Sequence, residues 1–360
     1  MLYITHLDGV GRGYTHAALH WLMSLRAAGL PVRYVPLPGV GPTEWLALPS
    51  WAQEIANDPG PLQSELGLYH HTPDVVAKVA RYTKLRWGLT TAETDRIPSW
   101  LAKRLNKTCE ELIVPSMFNK QAFELSGVSV PIHVVPHALA GGISYAEKPL
   151  PPDPYTFYFV GNWNQRKNPE GVLRAYLRAF PKASPAVRLV LKLTGSFTIP
   201  DLTASIVEQE VGSAERMAQD IQVFCENWSE RQIQALHDAG HCFVSLHRGE
   251  GFGLALLQAA MSGSSVMHTN WSAPLEFLPE EHHPRVPCDI VPVGAAMGHV
   301  PYFQGAEALR WAEPHMQAAV EMMRTAFAVG RTGTEEGAER LRQAHSWERI
   351  GAGFKEILPE

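Results

Sequence analysis

Apolar and polar positions alternate between strand-like runs and helical spacing from the first residues onward. "LYITHL" (2–7) is a short apolar run, and "DGVGRGY" (8–14) a loop carrying Gly9, Gly11 and Gly13. "THAALHWLMSLRAAG" (15–29) has the spacing of an amphipathic helix stopped by Gly29 with Pro31 beyond it, and "PVRYVPL" (31–37) returns as a strand. Residues 36–61, rich in Pro, Gly and Trp without clear periodicity, are expected to form an irregular surface segment. "GLYHHTPDV", "LRWGLTTAETDRIPSWLAKRL", "EELIVPSMFNKQAFELSG" and "PIHVVPHAL" then alternate apolar runs with helical or loop segments, as in a parallel sheet.

The pattern breaks at "AGGISYAEKPLPPDPY" (140–155), a linker by its glycines, prolines and lack of period, and then restarts. Strand "YTFYFVG", loop "NWNQRKNPEG", helix "VLRAYLRAF" and strand "VRLVLKLTG" follow. "SERQIQALHDAG" opens with a Ser229/Gln232 capping box, and "HCFVSLH" and "SSVMHT" are strands flanking "RGEGFG" and the helix "LALLQAAMS". The expected fold is α/β, with two doubly wound Rossmann-like domains facing a cleft. The first covers 1–145 and the second 155–340, and a terminal helix, 341–360, is expected to cross back to the first domain.

Composition narrows the partners. The chain has 360 residues, 45% of them hydrophobic, enough for two cores, and its formal net charge of −5 offers no basic field for phosphate backbones or anionic membranes. Nucleic acid stays in view as a partner only through the cations of "KVARYTKLRW" and "LAKRLNK", and is not favoured. No run of 18 apolar residues and no signal-peptide pattern occurs, so no transmembrane segment and a cytoplasmic location are expected. Cys109, Cys225, Cys242 and Cys288 are scattered, which suits reduced thiols. His237 and His241 are four apart, but Gly240 should end the helix between them, and the His70/His71 and His282/His283 neighbours point to opposite sides of a strand. No metal and no resident cofactor are expected.

The chemistry concentrates where "HCFVSLH" meets "RGEGFG". The loop should cross the carboxyl edge of a sheet, where doubly wound folds bind ligands, and the following helix leaves its first N–H groups without intrahelical partners. Those groups and the helix dipole form an anion site that bare glycine backbone lets a phosphate approach. Glu250, just outside it, can accept hydrogen bonds from hydroxyls of the same ligand. Arg166 and Lys167 follow the first strand of the same domain and can clamp a pyrophosphate. A nucleoside diphosphate sugar has both parts.

"FVGNWNQRKNPEGVLRAY" and "SLHRGEGFGLALLQAAMSGSSVMHTNWSAPLEFL" resemble the C-terminal domain of retaining GT-B glycosyltransferases of family 4, and "ELIVPSMFNKQAFELSGV" with "PIHVVPHAL" the end of their N-terminal domain. The resemblance implies that Glu250 hydrogen-bonds the donor sugar and that the Gly251, Phe252, Gly253 and Leu254 backbone holds sugar and phosphate. Lys167 and Arg166 would neutralise the diphosphate, and His71, with His70 as the alternative, would lie under the sugar. The loop with Gly11 and Gly13 matches the family's N-terminal glycine-rich loop, which approaches donor or acceptor. Two positions depart from the pattern: Gln258 stands where a ribose-binding glutamate is common, and Asn162 where an arginine is. A nicotinamide or flavin site is disfavoured, because "GVGRGYTH" lacks the third glycine of the dinucleotide motif and no acidic residue ends "PVRYVPL".

The implied activity is metal-independent transfer of a hexosyl or related group from a nucleoside diphosphate sugar to an unknown hydroxyl acceptor with retention. The alternatives are a non-catalytic sugar- or nucleotide-binding protein of the same fold, a phosphorylase, and a nucleic-acid-base glycosyltransferase.

Overall fold

The first half of the chain alternates strands and helices: β1 (Leu2–Thr5), α1 (Gly13–Ala27), β2 (Arg33–Pro36), β3 (Leu66–His70), α2 (Pro73–Val79), β4 (Leu85–Leu89), α3 (Ser99–Thr108), β5 (Glu111–Val114), α4 (Met117–Glu124) and β6 (Ile132–Val134). The second half continues with β7 (Tyr155–Asn162), α5 (Pro169–Ala179), β8 (Val187–Thr194), α6 (Ile199–Val211), β9 (Ile221–Phe224), α7 (Glu230–Ala239), β10 (Cys242–Ser245), α8 (Leu254–Met261), β11 (Ser265–Thr269) and β12 (Arg285–Val286). A hairpin, β13 (Cys288–Pro292) with β14 (Arg310–Pro314), and three helices, α9 (Met316–Val329), α10 (Glu335–Ala344) and α11 (Trp347–Ile357), complete it. The structure is a computed structural model that describes residues 1–7, 13–37, 64–80, 83–139, 154–194, 198–294 and 309–359. Gly9, Gly11 and Arg12, most of the 36–61 segment and most of the 140–155 linker lie outside the described residues.

The strands form two six-stranded parallel sheets, ordered β2-β1-β3-β4-β5-β6 and β12-β11-β10-β7-β8-β9. Both are covered on two faces, as near-continuous apolar strands require. In the first, Trp21, Leu22 and Leu25 of α1 pack with Ile350 and Phe354 of α11 on one face, and Val76, Leu101, Leu105 and Phe123 cover the other. In the second, α5, α6 and α9 contribute Tyr176, Val207 and Met323 to one face, and α7 and α8 contribute Leu236 and Leu256 to the other. Each fully buried side chain of this kind stabilises by roughly 1.5–3 kcal/mol. The two doubly wound sheets expected from the sequence are present.

α11 seats its apolar side on α1, and Trp347 Nε1 donates to His20 Nδ1 at 3.0 Å. Residues 341–344 end α10; α11 is a separate helix capped by Ser346, which accepts from Arg349 N. The β13–β14 hairpin, β9 and α6 were not legible in the apolar pattern. Among the described residues no helix is long and apolar enough to cross a membrane, and no group of three His, Cys, Asp or Glu could hold a metal ion. His237 instead meets Tyr158 OH through Nδ1 at 3.0 Å, and His241 Nδ1 accepts from Thr156 N at 3.2 Å.

Candidate functional site

In each sheet the strand order reverses once. The chain leaves β1 for β2 on one side and returns to β3 on the other; it leaves β7 for β8 and returns to β10. These switch points open crevices at the carboxyl ends of the strands. The loop after β7 and the loop after β10 therefore meet, and a cleft of about 550 Å³ runs from them to the ends of β1, β3 and β4 in the other domain.

Local chemistry shapes both loops. Asn168 takes the left-handed conformation (φ 53°), accepts from Gly171 N to cap α5, and donates through Nδ2 to Leu246 O at 2.9 Å. Arg248 N donates to Arg166 O at 2.7 Å, and the Arg248 guanidinium reaches Gln165 O and both oxygens of Glu313. Gly253 precedes α8 at φ 98°, which a side chain would strain, and leaves the start of that helix without a side-chain cap.

A four-member charge cluster lies at the centre. Glu250 is 4% exposed, with Oε1 2.5 Å from Lys167 Nζ and Oε2 3.4 Å from Arg166 Nη1. Arg166 also donates to Gly249 O at 2.7 Å and sets Nη2 2.9 Å from Glu93 Oε1, across the cleft in the first domain. Burial works against ionisation of Glu250, but Lys167 and Arg166 overcome it and hold the carboxyl down at about 2. Glu93 goes the other way: burial raises its pKa, Glu250 adds to the effect, and Arg166 offsets it only in part. Burial disfavours the Arg166 cation too, yet Glu93 and Glu250 keep it firmly charged. Two cations are thus balanced by two carboxylates, one from each domain.

The expected residues that the structure describes, His70 apart, line this cleft. Asn162 lines it at the exposed end of β7, Gly251 to Leu254 at the start of α8, and Gln258 one turn further on. Gly251 O faces the first domain and accepts from Ser116 Oγ at 3.2 Å and from Asn119 Nδ2. The Phe252 ring is 6% exposed and packs against Phe277 and the edge of His137, so its backbone borders the cleft while its side chain fills the domain junction. Gly13 opens α1 at the cleft wall. His71 also lines the cleft; its Nδ1 accepts from Thr72 N at 2.8 Å, which assigns the proton of the neutral ring to Nε2, and Tyr14 stacks on it at 5.6 Å. His70, the alternative, is buried in the core with Nδ1 2.7 Å from Tyr3 OH and its ring 4.9 Å from Trp21.

Sequence reasoning missed other residues at this cleft, among them Tyr14, Glu93, Lys192 and Trp228. Lys192 did leave a signal, as the one charge inside the apolar run "LVLKL". Glu93 left none, because its role comes from the opposite domain. Among the cations between 78 and 107, Lys78, Lys84 and Arg86 are paired with Asp74, Glu65 and Glu110.

No family model matches this sequence, and no curated protein matches it as a relative. Solved structures do. Sucrose-phosphate synthase from Thermosynechococcus elongatus superposes with a TM-score of 0.67 at 14% identity, covering 99% of this chain and 97% of that one. The fold is GT-B. HepE from Anabaena, solved in complex with UDP and glucose, gives 0.62 at 11% identity over 99% of both chains. A chain of the GtfA/B complex gives 0.55 at 14% identity, and there the match covers 79% of this chain but only 54% of the other. These neighbours are GT-B glycosyltransferases.

Proposed function

We propose that this GT-B protein is a retaining glycosyltransferase of family 4, moving a hexosyl or related group from a nucleoside diphosphate sugar to a hydroxyl acceptor without a metal ion, in the cytoplasm. The observation that carries the reading is the Glu250, Lys167 and Arg166 cluster at the β7/β10 switch point, beside the uncapped start of α8. A diphosphate entering there meets two cations and the first backbone N–H groups of a helix that has no side-chain cap. These supply the positive charge that leaving-group departure calls for as the glycosidic bond breaks.

Glu250, held ionised, accepts hydrogen bonds from sugar hydroxyls and fixes the sugar against the phosphate. His71, presenting an Nε2 proton on the opposite wall, donates to the sugar from the first domain. Retention follows if the acceptor attacks from the face the diphosphate leaves, with the leaving phosphate taking its proton. In this reading the 1–145 domain supplies the acceptor side and the 155–340 domain the donor side. Closing them excludes the water that would hydrolyse the donor.

The test is calorimetric titration with a panel of nucleoside diphosphate sugars, with Glu250→Ala and Lys167→Ala beside the wild type. The reading expects one donor to bind and both variants to lose at least about tenfold in affinity, the effect of roughly one charge-assisted contact. Binding that survives both substitutions removes the donor site as assigned. Binding without transfer to any hydroxyl acceptor leaves the non-catalytic reading, which Gln258 in place of a charged residue favours.

A further inference from the structure

Lys192 is the least expected residue in the cleft wall. It sits in β8 opposite Val160 of β7, is 4% exposed, and has no carboxylate within ion-pair distance among the described residues. Lysine is almost never buried to that degree without a counter-charge. One of its N–H groups donates to Leu193 O at 2.9 Å, and the ammonium stands 5.6 Å from the centroid of the Trp228 ring. No other hydrogen-bond partner is present among the described residues. Burial lowers the Lys192 pKa from the usual lysine range, against the opposing influence of Glu226.

Position says what it could meet. Across the second sheet the order β10-β7-β8-β9 runs outward from the charge cluster. Lys192 is thus one strand beyond β7, and Trp228 follows β9, at two strand spacings, about 10 Å. A ligand with its diphosphate on Arg166 and Lys167 and its chain directed this way places its far end beside Lys192 and Trp228. An indole face stacks a flat heterocycle, and an ammonium, which only donates, seeks an oxo acceptor on the ring edge.

Resting on the donor-site reading above, we propose that Lys192 and Trp228 form the nucleobase end of the site and select bases carrying an oxo group on the edge facing the lysine, uracil, thymine or guanine, over adenine. Adenine presents an exocyclic amine where those bases present an oxygen, so its donor would meet another donor in a buried place. Trp228 supplies the stacking face for any base, and Lys192 supplies the choice.

The experiment titrates the full chain with UDP, TDP, GDP, ADP and inorganic pyrophosphate, for the wild type, Lys192→Met and Lys192→Arg, each checked for folding by thermal melting. The wild type is expected to bind at least one oxo-base diphosphate about tenfold or more tighter than ADP. Lys192→Met should collapse that ratio to within about threefold while leaving pyrophosphate affinity unchanged, and Lys192→Arg, which keeps donors, should retain part of the preference.

Equal binding of ADP by the wild type overturns the proposal, even if Lys192→Met fails to fold. So does a Lys192→Met loss shared equally with pyrophosphate, which would make the lysine a phosphate contact. Pyrophosphate binding with no nucleoside diphosphate preferred also overturns it while sparing the anion site; no binding of any anion sinks the donor-site reading and this inference together.

Discussion

Arg166 joins the two domains at the cleft: its Nη2 lies 2.9 Å from Glu93 Oε1 of the first domain while Nη1 lies 3.4 Å from Glu250 Oε2 of the second. The guanidinium is largely buried, so both contacts operate in a medium less polarisable than water, where each charge counts for more than on the surface. A diphosphate entering the cleft must share Arg166 with Glu93. Glu93 thus links the contact between the domains to the state of the anion site.

Removing that carboxylate's charge should therefore favour anions. Glu93→Gln is expected to strengthen binding of inorganic pyrophosphate by several-fold, about 1 kcal/mol. It should also loosen the domain contact, read as a larger radius of gyration in solution scattering. Weaker pyrophosphate binding in this variant would show that Glu93 supports the phosphate clamp instead of competing with it.

Gly249 allows the loops to close. A Cβ there would stand 1.9 Å from the Glu93 carbonyl oxygen, a backbone atom that cannot swing aside. Gly249→Ala is expected to push the domains apart, cutting nucleotide affinity by about tenfold or more while costing only about 1–3 kcal/mol of stability, typical of overpacking. Calorimetry beside a melting curve checks both. Wild-type affinity in this variant would mean that the closed loop contact is irrelevant to binding.

Acid should destabilise the fold through histidine before it does so through Glu250. Burial lowers His137, His237 and His268 to about 3, and His247 and His283 to about 4. In the unfolded chain each titrates near 6.5, so below that pH the unfolded state binds protons that the folded state refuses, and stability falls as pH falls. The slope is up to about 1.4 kcal/mol per pH unit for each histidine. Glu250, held at about 2, adds its own loss only below the ordinary carboxyl range near 4.5. Denaturant unfolding between pH 7 and 5 isolates the histidine contribution, and a flat profile across that window would show that these rings are not buried neutral.

The elements around the site were readable because their signals are local. The capping box at Ser229 and Gln232 forms as spaced, α1 stops at Ala27 with Gly29 at φ 73°, and β7, β10 and β11 coincide with apolar runs too short for helices. Glu250, Lys167 and Arg166 were readable for a related reason: a strand, a glycine-bearing loop and a helix in succession place loop residues at a sheet's carboxyl edge whatever the rest of the chain does. The β13–β14 hairpin was not readable, since its strands are 17 residues apart (293–309) and part of that stretch carries no periodic pattern.

The sequence by itself determined two α/β domains and the charged loops that face a cleft, because hydrophobic period, capping and glycine placement act over a few residues. Only the tertiary structure decided that His71 lines that cleft while His70 is buried, that both cations are held by carboxylates, and that Glu93 belongs to the cluster. Those depend on contacts between residues far apart in the chain, such as Tyr3 with His70 and Glu93 with Arg166. Burial and charge balance arise only when segments distant in the chain meet, within a sheet or across the cleft, and no short-range pattern records how they will.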